Sequence, residues 1–533
     1  MGLLLIIKMD QKSIFFSILI SIILSQTNGE KCNYSKPNIV LMLMDDMGWG
    51  DLGVNGEPSR ETPYLDRLAS EGMQFTDFYA GSPLCSPSRA ALLTGRLPIR
   101  NGFYTTNIHA RNSYIPQEMI GGISRSEILI SELLAKKNYQ NKIIGKWHLG
   151  HSKSDYYPWN RGFHEFFGTF GVHFGPYDNV KVPNVPLFRN DKMIGRYYEN
   201  VVIDRKKQES DLLKNFTQEA IEFMQRESKK GNPFFLYWTP DTLHAPTYRS
   251  AEFVGRSIKN SSYGDALIQM DHSIQAIMET IRNEPCLQNN TFVFFTSDNG
   301  PALTSKADAG RSGPFLCGKQ TTFEGGFREP AIAWWPSKIP SGTITRQIST
   351  HMDLFRTIAT IANISIPDDR HYDSNDLTKI MFNNSYEIPN ATIFYYRGDT
   401  LMAIRHGSYK AHYWTFSTPQ EELDVGIDFC PGQNVFNLTT PRLTNHTESP
   451  LLFHLYRDPG EHFHINPKNS EYKETMEILN KIRDEHQQHL VPGKPELNYC
   501  DHAAMSWSPP GCEQIKMCLP VPKSSPYLCE WPH

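Results

Sequence analysis

Asn38-Ile39-Val40-Leu41-Met42-Leu43-Met44 runs directly into Asp45-Asp46, and this junction of an apolar stretch with paired carboxylates decides the fold. Such a run suits a strand covered on both faces by helices. The pattern recurs. Phe292-Val293-Phe294-Phe295-Thr296-Ser297 ends in Asp298-Asn299, and Pro233-Phe234-Phe235-Leu236-Tyr237-Trp238 leads to His244. Between these runs lie helical patterns over Ser126 to Lys137 and Asp265 to Arg282. The second carries apolar residues at Leu267, Met270, Ile274, Ile277, Met278 and Ile281, the spacing of one helix face. Strands alternating with helices predict an α/β fold, in which ligands collect at the carboxyl ends of the strands. Here those ends deliver carboxylates, an amide and a histidine.

Asp45, Asp46, Asp298 and Asn299 all present oxygen, a donor set that favours a hard cation such as calcium or magnesium over zinc. Asp-Asp and Asp-Asn-Gly after strands are also frequent caps and turns, so each pair needs support from elsewhere. A cationic set supplies some. Lys146 and His148 stand in Gly145-Lys146-Trp147-His148-Leu149-Gly150, His244 in Asp241-Thr242-Leu243-His244-Ala245-Pro246, and Lys319 in Cys317-Gly318-Lys319-Gln320-Thr321-Thr322. With Arg89 they could hold an anion and move protons near neutral or acidic pH.

The most informative segment for chemistry is Cys85-Ser86-Pro87-Ser88-Arg89-Ala90-Ala91-Leu92-Leu93-Thr94-Gly95-Arg96, followed by a helix-like pattern. It resembles the signature of the type I sulfatases, whose Cys-x-Pro-x-Arg core is read by a formylglycine-generating enzyme that oxidises the thiol to an aldehyde. Hydrated, that aldehyde carries two hydroxyls on one carbon: one attacks sulfur to give a covalent sulfo-enzyme, and the other later expels sulfate. The similarity extends over essentially the whole mature chain, through segments such as Phe174-Gly175-Pro176-Tyr177-Asp178-Asn179, Phe394-Tyr395-Tyr396-Arg397-Gly398-Asp399 and Gly426-Ile427-Asp428-Phe429-Cys430-Pro431-Gly432-Gln433-Asn434. These segments point to the members that remove 6-sulfate from N-acetylgalactosamine or galactose of chondroitin and keratan sulfate.

The resemblance implies an alkaline-phosphatase-like sulfatase fold: a large mixed sheet flanked by helices, a smaller antiparallel-sheet C-terminal domain, and a disulfide-rich meander returning to the active-site mouth. Residues 1–29 would be a signal peptide, 30–387 the catalytic domain, 388–490 the small domain and 491–533 the meander. One calcium ion per subunit would sit on Asp45, Asp46, Asp298, Asn299 and the modified Cys85. Arg89 and Lys146 would hold the formylglycine hydrate, His148 would act as base in sulfate release, and His244 and Lys319 would contact sulfate and the leaving oxygen. Asp298 would also take the proton of the attacking hydroxyl. Tyr114 and Tyr198 would line the sugar pocket. The implied disulfides are Cys317–Cys430, Cys500–Cys529 and Cys512–Cys518, leaving Cys32 and Cys286 unassigned. A homodimer with a lysosomal address is implied as well. The segments Leu187 to Asn190, Arg205 to Ser210 and Asp373 to Asn390 depart from the family pattern, so the pocket rim and the substrate preference could differ, as in an arylsulfatase of other preference.

Composition agrees with a large secretory enzyme. At 533 residues the chain exceeds what a single core usually organises. A net charge of -4, with both signs interspersed, argues against nucleic acid as a partner. Lys8 and Lys12 precede an apolar run from Ile14 to Leu24, a secretory signal too short to anchor the chain stably in a membrane. Sequons at Asn33, Asn215, Asn260, Asn289, Asn363, Asn383, Asn390, Asn437 and Asn445 fit the same route. Nine cysteines fit disulfides plus one modified nucleophile. Two other classes are weighed. A phosphatase of the same superfold would use Ser or Thr with two zinc ions and more His and Asp ligands than the sequence offers, and a silent binding protein would follow if Cys85 escaped modification.

Overall fold

The computed structural model describes residues 36–108, 114–173, 177–383, 387–388 and 391–530. The expected signal peptide, Cys32, Asn33 and Asn390 lie outside them. The first strand, β1 (Asn38–Met44), is buried along its whole length. Its alternate side chains enter two different cores: Ile39, Leu41 and Leu43 one, Val40, Met42 and Met44 the other. That division is why the run carries no polar alternation.

Ten further strands complete the large sheet: β2 (Met73–Tyr79), β3 (Gln140–Lys146), β4 (Glu165–Thr169), β5 (Pro186–Arg189), β6 (Lys192–Arg196), β7 (Phe234–Thr239), β8 (Thr291–Ser297), β9 (Arg328–Trp334), β10 (Thr343–Thr345) and β11 (Ser349–Thr350). Their order is β10-β2-β9-β8-β1-β7-β3-β4-β5-β6, with β11 also on β2. The central four, β8-β1-β7-β3, are parallel. β9 runs antiparallel to β8 and β2, and β5 antiparallel to β4 and β6, so the sheet is mixed. Helices Pro63–Glu71, Leu212–Lys230 and Ser262–Asn283 pack on one face. Helices Cys85–Thr94, Ile130–Ala135 and His351–Ile361 pack on the other.

The helix expected over 265–282 is Ser262–Asn283, started by Ser261, whose side chain accepts the Gly264 N–H. The helix expected over 126–137 shrinks to Ile130–Ala135. The chain leading into it is held by buried Arg161, whose guanidinium donates to the carbonyls of Ile123 at 3.0 Å, Ser124 at 3.3 Å and Glu127 at 2.8 Å.

Strands Thr392–Arg397, Thr400–His406, Tyr409–His412 and Leu451–His454 form a separate antiparallel sheet. The helix Ser470–His489 packs Tyr472, Met476 and Leu479 against it. The three implied disulfides are present. Cys286 is disulfide-bonded too. The tail then folds back on the large sheet's loops: Ile120 N–H donates to the Tyr499 carbonyl, and Asp501 N–H to that of Glu118. Among the described residues no helix is long and apolar enough to cross a membrane. Each sequon asparagine among them, Asn215, Asn260, Asn289, Asn363, Asn383, Asn437 and Asn445, is exposed.

Candidate active site

The parallel strands converge on one place. Asp45 and Asp46 follow β1, Asp298 and Asn299 follow β8, Lys146 ends β3 with His148 two residues on, and His244 lies in the loop after β7. Cys85 is the first residue of a helix buried throughout, so the positive end of that helix points at the cluster and favours an anion there. Gly145 lets β3 approach closely, since a Cβ there would stand 2.1 Å from the Thr239 carbonyl oxygen. Asp46, His148 and Gln320 adopt φ of 63°, 59° and 73°, a left-handed conformation that non-glycine residues hold only where the surroundings enforce it.

Three buried carboxylates face three cations, of which Arg89 and Lys146 are buried and Lys319 is half-buried. Lys146 Nζ donates to both Asp45 oxygens at 2.7 and 3.0 Å. Lys319 Nζ donates to Asp46 Oδ1 at 2.5 Å. Arg89 donates through Nε and Nη2 to Asp298 Oδ2 at 2.9 and 2.7 Å, and through Nη1 to the Lys146 carbonyl at 3.1 Å. Asn299 Nδ2 donates to Asp46 Oδ1 at 2.7 Å. Asp46 Oδ2 and Asn299 Oδ1 are buried and receive no hydrogen bond among the described residues. Two such orphaned oxygens, in a set made only of carboxylates and an amide, fit a hard divalent cation. Ligand atoms of Asp45, Asp46, Cys85 and His244 lie within 4.8 Å of one another, which puts the sulfur position beside that cation site.

Burial shapes the protonation states. It pushes Asp45 up, yet Lys146, His244, Arg89 and Lys319 outweigh it and hold that carboxyl well below the ordinary carboxylate value. Asp298 is pushed up by burial and by the neighbouring Asp45 charge, against the pull of Arg89. Burial pushes the Cys85 thiol up to about 12, although Lys146 and Lys319 draw it down. A thiol of that kind stays protonated and is a poor nucleophile, so unmodified Cys85 is unsuited to thiolate catalysis.

His148 is fixed at both ring nitrogens. Nε2 donates to the Ile115 carbonyl at 2.8 Å, and Nδ1 accepts from Ser86 Oγ at 3.2 Å, the same hydroxyl that receives the Ile115 N–H. Burial, with Lys146 and Arg89, holds its pKa well below the usual histidine value, so the ring is neutral. His244 donates Nδ1–H to the Ala245 carbonyl at 2.8 Å and turns Nε2 to Asp46 Oδ2 at 3.6 Å. Burial and then Lys319 lower it to about 4.

A cleft of about 490 Å³ opens above the cluster, bordered by Asp46, His244 and Lys319. Tyr114 lines it and meets the His148 ring edge-on at 5.5 Å. Tyr198 stands behind this lining: Tyr177 occupies the wall, and Tyr198 packs against it at 6.3 Å beneath the Arg205 guanidinium. Sequence reasoning missed several wall residues. His151 and Gln117 had a faint signal in their nearness to His148 and Tyr114, whereas Met505 and Ser506 belong to the tail that the resemblance brings to the active-site mouth, with no signal for the individual residues. Missed as well was His173, buried behind His244, with Nδ1 2.9 Å from Asp241 Oδ2 and Nε2 2.7 Å from the Pro246 carbonyl. It spans the loop on which His244 sits.

Comparison with known proteins agrees with this geometry. Residues 37–364 match the family described as Sulfatase, and residues 388–520 match the C-terminal region of aryl-sulfatase. The chain is 55% identical over 498 residues to N-acetylgalactosamine-6-sulfatase of Mus musculus, covering 93% of this chain and 95% of that one. It is 53% identical to the Homo sapiens protein of the same name, over 93% and 94% of the two chains. Among solved structures, the PsFucS1 sulfatase from Pseudoalteromonas sp. superposes with a TM-score of 0.71 at 25% identity, covering 92% of this chain and 97% of that one.

Proposed function

The chain belongs to the sulfatase family, and on that premise we propose that it removes the 6-sulfate from N-acetylgalactosamine or galactose residues of chondroitin and keratan sulfate. The observation that carries the reading is the set of three buried carboxylates and three cations around Cys85, below a cleft of about 490 Å³. The name those relatives share, N-acetylgalactosamine-6-sulfatase, supports the choice of sugar and sulfate position.

Asp45, Asp46, Asp298 and Asn299 would hold calcium, which would polarise the sulfate oxygens. The formylglycine made from Cys85 would supply two hydroxyls on one carbon, one to attack sulfur and one to release sulfate. Around them Arg89 and Lys146 orient the hydroxyls, and Asp298 takes the proton of the attacking one. His148 would act as the base that takes the proton freed as sulfate leaves. Lys319 Nζ and His244 Nε2 face the leaving alcohol's oxygen. Of these two, Lys319 holds the proton at mildly acidic pH, because its amine is raised well above the usual lysine value by Asp46 despite the opposing effect of burial. Tyr114 and Tyr198 bound the sugar side, Tyr198 through Tyr177.

Residues 30–387 would be the catalytic domain, 388–490 a small domain bracing it, and 491–533 a meander finishing the cleft wall. Exposed sequons support a glycoprotein, and the N-terminal apolar run supports a secretory route; a lysosomal address and a homodimer are what the likeness to the relatives implies. The test is paired. The mass of the tryptic peptide containing Cys85, from secreted protein, should show formylglycine, and the same protein should release sulfate from 6-sulfated but not 4-sulfated N-acetylgalactosamine oligosaccharides. Unmodified cysteine, or equal action on both isomers, would defeat the reading.

A further inference from the structure

We propose that Lys410 and Glu461, which belong to the small antiparallel sheet and the loop beyond it, are positioning residues that hold the Lys319 loop from behind. The proposal rests on the role given to Lys319 above. Lys319 lies in residues 317–323, a succession of turns with no regular element until the four-residue helix Glu324–Phe327. From this irregular stretch its Nζ must reach Asp46 at 2.5 Å, beside Gln320 at a φ of 73°.

Two backbone bonds steady the loop from the large-sheet side: Lys319 N–H to the Pro301 carbonyl at 3.0 Å and Gln320 N–H to the Pro83 carbonyl at 2.9 Å. Four further anchors come from residues 410–461. At the loop's start are the Cys317–Cys430 disulfide and Gln433 Oε1, which accepts the Cys317 N–H at 2.8 Å. At its end, Lys410 Nζ donates to the Thr322 carbonyl at 2.8 Å, and Glu461 Oε2 accepts the Glu324 N–H at 2.7 Å. Lys319 sits midway between the two pairs.

Lys410 and Glu461 are themselves fully buried and 3.0 Å apart. Lys410 also lies 3.0 Å from Glu324 Oε1, and Glu461 Oε1 lies 2.6 Å from His412 Nε2. A buried ion pair is weak evidence for stability, since apolar residues of similar volume often serve as well or better. Apolar residues cannot, however, hold the carbonyl and N–H of an irregular buried loop, and these two side chains do so on the far side of Lys319. Their contribution is therefore to the aim of the lysine.

A double-mutant cycle tests this. The charge-balanced variant Lys410→Met/Glu461→Gln is made in the full chain, with and without Lys319→Ala, and kcat and KM are measured on a 6-sulfated galactoside. Lys319→Ala alone should lower kcat by about a hundredfold. The pair should lower kcat by about tenfold with little change in KM in the parent, and add nothing in the Lys319→Ala background. Equal fold-losses in both backgrounds overturn the proposal. Should the double variant not be secreted, Gln433→Ala, at a half-buried position, enters the same cycle and is judged by the same coupling. If Lys319→Ala leaves kcat unchanged, the role of Lys319 fails and this proposal falls with it; a large Lys319→Ala effect without coupling removes the bracing alone.

Discussion

Replacing Lys146 by methionine, similar in length but uncharged, separates what the site's cations do for folding from what they do for chemistry. With Lys146, Lys319 and Arg89 set against Asp45, Asp46 and Asp298, the site is neutral before a metal enters. Lys146→Met leaves Asp45 with Arg89, at 3.8 Å, as its remaining ion-pair partner. Breaking one partner of a buried pair costs about 3–5 kcal/mol. An unfolding entropy of about 2.1 cal/mol/K per residue, over roughly 500 residues, amounts to roughly 1 kcal/mol/K, so the thermal midpoint in chelator near neutral pH should fall by about 3–5 °C. Calcium acts in the opposite sense. A site with one surplus negative charge binds a divalent cation more tightly, and a tenfold gain, about 1.4 kcal/mol, would enlarge the calcium-induced rise in midpoint by about 1–2 °C over the parent. Acid should also help the variant. Without Lys146 the Asp45 pKa rises from the lowered value that this lysine helps to set, so the variant's deficit relative to the parent is full above the variant's pKa and fades as pH falls through it. Differential scanning fluorimetry of both proteins, in chelator and in calcium, at two pH values, reads all three effects. A chelator midpoint equal to the parent's, or the same calcium response in both proteins, would refute the charge balance argued here.

Other outcomes follow from the same geometry. Cys85→Ser should fold normally yet release at most one equivalent of alcohol per enzyme, because serine has no second hydroxyl to expel sulfate; sustained turnover in a stopped-flow and steady-state comparison would contradict the mechanism. Converting Cys500 and Cys529 to alanine opens a loop of 29 residues and should cost about 3–4 kcal/mol, read as a lower thermal midpoint; an unchanged midpoint would argue that the tail is held by its other contacts. His173 is pulled down by burial, but its bonds to Asp241 and the Pro246 carbonyl outweigh this and raise its pKa. Its contribution to stability is therefore complete below the ordinary histidine value and lost as pH rises through the folded one. His173→Asn should flatten that alkaline limb of a midpoint-against-pH curve, and a limb of undiminished slope would assign it to other groups.

Much of the fold could be read from sequence because its central strands are buried on both faces. β1, β7 and β8 appear as uninterrupted apolar runs, and the chemistry hangs on their carboxyl ends, where Asp45, Asp46, Asp298, Asn299 and His244 were expected together. What escaped depends on partners far away in the chain. The helix over 126–137 had a sound local pattern, whereas in the fold residues 126–129 are not helical and the Glu127 carbonyl accepts from distant Arg161. Tyr198 was expected at the pocket from its segment alone, but Tyr177, brought in front of it, forms the wall. Met505 and Ser506 reach the cleft only because the tail pairs with residues 118–120, a contact across almost four hundred positions. The clamps on Lys319 were hidden for the same reason, since Lys410 and Glu461 look like ordinary charges in a polar stretch.

The return of the tail to the cleft also sets a timetable. Cys85 is fully buried once folding is complete, so an enzyme that oxidises it must reach it earlier. The chain that closes the cleft, from Cys500 onward, follows some four hundred residues later. At synthesis rates of about 5–20 residues per second, roughly 20–80 s separate the emergence of the two segments. During that interval the thiol is on offer while the last wall of its future pocket is still being made.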